Sequence, residues 1–355
     1  MKKYNKSFGF TIIELLIAVF ISSIVLAGAF GVQMVFNSST VSQQSVSDMQ
    51  NNLDALRSYL RRTIQTAGAG LAQNIALQNC SGGYEYIPAI MVHNKNDYPP
   101  IADNSLGGTD NDPDWIEFVA PPSVDITSVN SWFKLNTGAR VYSTEGFMVR
   151  DVVAINIGNS SCLMRINQIL NSSPTSRYFL WNYKGGVYCM NPNNSLHPGC
   201  GINNNKTYYP TQTVSITSLG QFPFQALRID ESDPKTPILM HGVRELQNGK
   251  STYTWSPLAL EVEDMQIAFH LDTSPTPNDA GDIWINSRDL LVTEYSRIRT
   301  LRISVIIRSS RANSEIRTSR PALEDRPASA IDNYRRRRLI VVVKVPNKPI
   351  LGGTI

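Results

Sequence analysis

Histidine and cysteine are scarce in this chain of 355 residues, with four of each. His93, His197, His241 and His270 stand far apart, and no G-x-S-x-G, G-x-x-x-x-G-K or C-x-x-C occurs. These absences remove the common nucleophile-elbow, phosphate-loop and zinc readings. No catalytic residue, metal, cofactor or small-molecule substrate is therefore expected, and the chain reads as something other than an enzyme. Charge is missing from one long stretch as well. Between Lys6 and Asp48 the only charged residue is Glu14. The overall balance, a net charge of +4 and a pI near 8.8, is mildly basic and permits contact with anionic polymers without requiring it.

What is present begins with the apolar run Phe10–Phe36, longer than the roughly 20 residues that cross a bilayer as a helix. Lys2, Lys3 and Lys6 in front of it favour a cytoplasmic N-terminus, which puts the rest of the chain across the membrane. Inside such a run a carboxylate costs about 2.5–3.5 kcal/mol and persists mainly where it finds a partner. Cleavage between Gly9 and Phe10 would create one: a new α-amine at Phe10, about one helical turn from Glu14, available to the same acid on a neighbouring copy.

Gly9-Phe10-Thr11-Ile12-Ile13-Glu14 resembles the G-F-T-x-x-E signature of type IV prepilins. That resemblance implies a prepilin peptidase that cuts after Gly9 and methylates Phe10, and it gives Glu14 the task of registering the next subunit during assembly. Three other readings compete. Ala27-Gly28-Ala29 offers an A-x-A-like signal-peptidase site, but the apolar run passes it without a break. An uncut signal anchor gives Glu14 no role. A core helix of a soluble protein would show one apolar face, and this run is apolar all round.

From Ser38 to Thr66, Val46, Met49, Leu53, Leu56, Leu60 and Ile64 recur at three- and four-residue steps. The helix thus continues with an apolar stripe that needs a sheet to lie on, and Gly68 and Gly70 supply its stop. Beyond Cys80 the pattern changes to short strand-like runs: Trp115–Val119, Val149–Ile157, Leu163–Ile169, Tyr178–Tyr183, Val214–Thr217, Phe224–Ile229, Pro237–Arg244, Leu258–Leu271, Leu301–Arg308 and Arg338–Val345. Asn94–Asp114 and Pro192–Asn205 read as long loops. The expected fold is α+β and type IV pilin-like: a long N-terminal helix packed on a mainly antiparallel sheet with large loop insertions. The expected division is a leader over residues 1–9, a membrane half-helix over 10–36, an amphipathic half-helix over 37–72 and a periplasmic head over 73–355.

The C-terminal third is similar to the PilW-type minor pilins. The helix closes with Arg61-Arg62-Thr63-Ile64-Gln65-Thr66-Ala67-Gly68; Val262-Glu263-Asp264-Met265-Gln266-Ile267 matches a V-E-D-L-Q-V stretch. Leu301-Arg302-Ile303 opens a V-R-I-like strand, and Tyr334-Arg335-Arg336-Arg337 a Y-R-R-R element. The resemblance implies a subunit that joins other minor pilins and the major pilin, primes filament growth from the bacterial inner membrane, and ends at the pilus tip. A type II secretion pseudopilin and a tip subunit that binds DNA or a surface are the alternatives.

Three local patterns bear on those alternatives. Four cysteines allow three pairings; Cys189 and Cys200, close together around Asn/Pro/Gly turn residues, favour each other and leave Cys80 with Cys162 in an oxidising compartment. Asp110-Asn111-Asp112-Pro113-Asp114 begins like a calcium loop, but Trp115 stands where glycine is needed and Pro121 where the bidentate glutamate belongs, so a polar turn before a strand is expected. Arg335, Arg336, Arg337 and Arg338 form a basic cluster with three readings: a solvated strand edge, a track for nucleic-acid phosphates, or partners for acids such as Glu261, Glu263 and Asp264 on adjacent pilins.

Overall fold

The structure is a computed structural model; it describes residues 11–68, 74–78, 84–87, 89–93, 112–119, 126–134, 137–157, 160–173, 176–180, 196–197, 202–203, 214–221, 224–247, 250–272, 283–286, 290, 294, 297–313 and 316–345. Met1–Asn51 and Asn52–Ile355 form two compact units. The first contains most of the α-helix Ile12–Thr66, whose apolar beginning is long enough to cross a membrane. Twenty-five residues from Ile12 to Phe36 rise about 37 Å, against about 30 Å of hydrocarbon. Their large side chains face outward, including Phe20, Phe30 and Phe36.

In the second unit the last helical turns bury Leu53, Leu56, Leu60 and Ile64, the stripe that the three- and four-residue spacing predicts. The helix stops because Gly68 takes a left-handed conformation, φ 67°, which a side chain would resist, and its N–H is then bound at 3.1 Å by the carbonyl of Val119. That carbonyl belongs to a five-stranded antiparallel sheet ordered Lys250–Leu260, Ile238–Gln247, Phe224–Asp230, Trp115–Val119, Ile90–His93. Tyr59 meets His241 of this sheet edge-on, with ring centres 6.4 Å apart.

A nine-stranded sheet runs in the order Tyr84–Ile87, Asn74–Gln78, Ser160–Arg165, Val152–Ile157, Val214–Ser218, Ile126–Lys134, Gly138–Val141, Ser176–Leu180, Gln168–Ser173. Its pairings are antiparallel except for Asn74–Gln78 beside Ser160–Arg165. Phe133, Val141, Phe147, Ile155, Phe179 and Ile216 fill one face of it.

The third sheet, ordered Ile283–Ile285, Val262–Leu271, Ile298–Arg308, Arg336–Lys344, is antiparallel throughout. Strict alternation gives it a buried apolar face of Met265, Ile267, Phe269, Leu301, Ile303, Val305, Leu339, Val341 and Val343. The fold is thus α+β, with a long apolar N-terminal helix and a mostly antiparallel head, consistent with the expected type IV pilin-like fold.

The structure corrects several boundaries. The expected run Leu258–Leu271 is two strands, broken at Glu261, whose φ of 60° takes the chain out of the pleat. Leu163–Ile169 likewise divides between Ser160–Arg165 and Gln168–Ser173. Asn74–Gln78, Tyr84–Ile87, Ile90–His93, Ile126–Lys134 and Gly138–Val141 are strands with no counterpart in the sequence reading. Within the stretch read as the loop Pro192–Asn205, Leu196–His197 pairs with Ile202–Asn203.

Candidate functional site

The residues singled out in the sequence gather at two places: the start of the helix and the C-terminal sheet. Gly9 and Phe10 lie outside the described residues; Glu14 does not. The Glu14 carboxylate accepts from the Thr11 N–H at 3.0 Å and from the Thr11 hydroxyl at 3.1 Å, while the Glu14 N–H donates to Thr11 Oγ1 at 3.3 Å. This reciprocal pattern is a capping box, in which Thr11 and Glu14 satisfy donors that the first helical turn leaves open. The spacing T-x-x-E before an apolar run is a sequence signal for it, and the sequence reading passed over it. In the single chain the lone acid of the apolar run therefore has a local partner, one residue downstream of Phe10.

At the other end, three motif stretches that are far apart in sequence meet on the polar side of the C-terminal sheet. Asp264 is fully buried and binds two guanidinium groups, Arg320 Nη1 at 2.5 Å and Arg326 Nη1 at 2.8 Å. Arg336, with a side chain only 5% exposed, clamps Glu263 at 2.6 and 2.9 Å and also pairs with Asp332. Arg302 holds Glu324 through two bonds of 2.8 and 2.6 Å, and Ser304 donates to the same carboxylate at 3.2 Å. Arg308 reaches Glu261 at 3.2 Å and the carbonyl of Pro234 at 2.9 Å, with its guanidinium carbon 4.4 Å from the centre of the Tyr334 ring. Bidentate pairing of this kind fixes geometry as well as charge.

The electrostatics follow from those contacts. Burial would raise the Glu324 carboxyl, but the bonds and charge of Arg302 outweigh it and hold the group below its ordinary value. Asp332 is lowered chiefly by its bond to Arg336. Burial would lower Arg326 and Arg336; the carboxylates around each outweigh it and raise both. Burial dominates at Glu231 and Glu261, which are raised despite Arg326 and Arg308 beside them.

The basic cluster is therefore divided. Arg336 is turned into the protein toward acids of its own chain, and only Arg337 and Arg338 are exposed. Glu261, Glu263 and Asp264, considered as partners for adjacent pilins, are occupied by Arg308, Arg336, Arg320 and Arg326. Asp114 is also accounted for: it is buried before its strand and its Oδ2 accepts from the Ile267 N–H at 2.6 Å. Asp110 and Asn111 lie outside the described residues, and among the described residues no group of three or more His, Cys, Asp or Glu side chains is placed to hold a metal. Cys80, Cys189, Cys200 and the side chain of Cys162 also lie outside them, although the backbone of Cys162 sits opposite Ile155.

One polar cluster had no sequence signal. His93 Nε2 stands 3.4 Å from Glu117, its ring stacks on Trp115 at 3.9 Å, and Tyr253 donates to the same carboxylate. Burial would raise Glu117, but these bonds prevail and lower it. The cluster ties Ile90–His93 to the neighbouring Trp115–Val119 and links that strand to Lys250–Leu260 at the other edge of the five-stranded sheet.

Residues 4–30 match the model of the prokaryotic N-terminal methylation motif, and residues 227–347 match that of the type IV pilus-assembly protein W. Together these matches support a type IV prepilin-like protein of the PilW family. The second match covers the whole C-terminal sheet with its arginine–carboxylate lattice, and the first covers the capped start of the apolar helix. No curated protein and no solved structure matched the chain. The matches support a minor pilin of type IV pilus assembly, a structural component that works with other pilus components, and its long apolar N-terminal helix suits a membrane anchor with the head C-terminal to it.

Proposed function

We propose that this minor pilin is cut after Gly9 and N-methylated at Phe10 by the prepilin peptidase, and that it then joins a tip complex that primes pilus growth. In this reading residues 1–9 are the leader, residues 10–36 lie in the bacterial inner membrane, and residues 37–72 continue the helix into a periplasmic head over 73–355. After extrusion the head sits at the pilus tip.

The observation that carries the reading is Glu14, the one charge of the apolar run, held at the first helical turn within reach of a new N-terminus. Methylation keeps the Phe10 amine cationic, and an apolar bundle gives Glu14 of one subunit a strong reason to pair with the amine of the next. The test is mass spectrometry of the N-terminal peptide from host membranes. N-methylated Phe10 is the expected start; a peptide starting at Phe30 would replace the reading with an ordinary secreted protein.

A further inference from the structure

The strand Arg336–Lys344 closes the C-terminal sheet on one side, and among the described residues no strand pairs with its outer edge. Its pairing with Ile298–Arg308 runs without a register shift over nine residues, so the edge is regular and unbroken by a bulge. Two bonds fix which backbone groups face which way. The Ser309 N–H binds the Arg335 carbonyl, and the Val345 N–H binds the Arg299 carbonyl. In an antiparallel ladder the bonded positions alternate, so odd-numbered residues from Arg335 to Val345 turn inward. Arg336, Arg338, Ile340, Val342 and Lys344 present their N–H and C=O groups to the open side.

The side chains on this strand are ordered as well. Leu339, Val341 and Val343 are buried, whereas Ile340 is 42% and Val342 56% exposed, with exposed Arg338 and Lys344 on either side. Two adjacent apolar groups between two cations form a legible template. A second copy of the strand does not fit it. If Ile340 and Val342 face their counterparts, antiparallel pairing sets Arg338 across from Lys344 and parallel pairing sets Arg338 across from Arg338, and like charges directly opposite destabilise a sheet. The complementary strand has acids where this one has cations.

We propose that this edge takes up an extended segment of a different pilus subunit as an added strand, one with two alternate apolar residues flanked by Asp or Glu. The proposal rests on the assembly reading above and names the surface through which the head would contact its neighbour.

The test uses the full chain in detergent and two labelled peptides, Glu-Thr-Val-Thr-Val-Thr-Glu and Lys-Thr-Val-Thr-Val-Thr-Lys. The acidic peptide is expected to bind saturably, about tenfold more tightly than the basic one, given two changed cross-strand charge pairs. Amide exchange at Ile340 and Val342 should slow on binding. Val342→Pro removes an outward N–H while leaving the inner ladder its donors, and should abolish binding. In the double variant Arg338→Glu, Lys344→Glu the preference should reverse, which a merely misfolded head would not produce. No binding, equal binding of the two peptides, or slowed exchange confined to other strands overturns the proposal. N-terminal processing is read separately. A chain that begins at Phe10 and builds pili but binds neither peptide overturns the edge alone, whereas a chain beginning at Phe30 overturns the assembly reading and not the peptide result.

Discussion

The first unit and the C-terminal sheet treat charge in opposite ways. Between Lys6 and Asp48 the chain has one charged residue, fixed at a helix start, and surrounds it with outward-facing apolar side chains. In the C-terminal sheet Glu261, Glu263, Asp264 and Glu324 each meet an arginine of the same chain. An apolar surface whose one acid meets only the neutral groups of Thr11 gains by association, because burial of that surface has to come from outside the chain. A sheet whose buried charges are paired internally needs no outside partner for those charges. Perturbing the lattice should therefore affect stability, and perturbing the helix start should affect assembly.

The largest effect is expected at Asp264. Replacing it with alanine leaves Arg320 and Arg326 facing each other in a buried site, and losing one partner of such a cluster costs about 3–5 kcal/mol. Thermal unfolding of the full chain in detergent should show a large drop in midpoint. A midpoint unchanged within error would mean that the lattice is not what holds the sheet, and the contrast between the two regions would fail.

Gly242 offers a smaller break within the head. A Cβ there would meet the Trp255 ring at 2.7 Å, and that ring has Arg228 against it at 4.3 Å, so it has little room to retreat. Gly242→Ala is expected to destabilise by about 1–3 kcal/mol through overpacking. A stabilised variant, measured by the same unfolding, would show that the ring moves freely.

Acid should act on the lattice. Glu324 and Asp332 are held below their ordinary values, so their contribution is present above the unfolded range near pH 4 and is lost as pH falls through the folded values. Glu231 and Glu261 are raised, so their penalty is present at neutral pH and is relieved as pH falls into their range, which offsets part of the loss. The head's unfolding midpoint is expected to decline below about pH 4, and Glu324→Gln should flatten that decline. An unaltered acid profile in Glu324→Gln would remove Glu324 from the account.

How far this was legible from sequence follows the same contrast. The stripe Leu53, Leu56, Leu60, Ile64 and the stop at Gly68 are local patterns, and the structure has them where periodicity and glycine put them. Strand alternation likewise placed Leu301–Arg308 and Arg338–Val345 to within a few residues. The lattice was not legible. Glu263 and Arg336 are 73 residues apart, Asp264 and Arg320 56; strand register brings the first pair together, and the second meets only because the segment after Thr318–Ser319 folds back onto the sheet. An arginine run without its acids looks like a free basic surface. The break at Glu261 was hidden for a related reason: apolar alternation on both sides reads as one strand, and a single left-handed residue leaves no mark in composition. Thr11…Glu14 was the reverse case, a local signal overshadowed by the longer motif that contains it.

That overlap yields the finest test, because two roles converge on one carboxylate. As a capping group, Glu14 stabilises the first helical turn with Thr11, and losing either side chain should cost about 1 kcal/mol locally. If Glu14 also pairs with the Phe10 amine of the neighbouring subunit, the two substitutions part company. Thr11→Ala should fray the helix start yet leave pili on the cell, whereas Glu14→Ala should fray it equally and leave none. Neither should move the unfolding midpoint of the head, since residues 11–14 belong to the first unit. Counting pili by electron microscopy, in strains whose mature N-terminus has been read by mass spectrometry, separates the roles. Equal loss in both variants would reduce Glu14 to a helix cap, and full piliation in Glu14→Ala would leave the acid with no function in assembly.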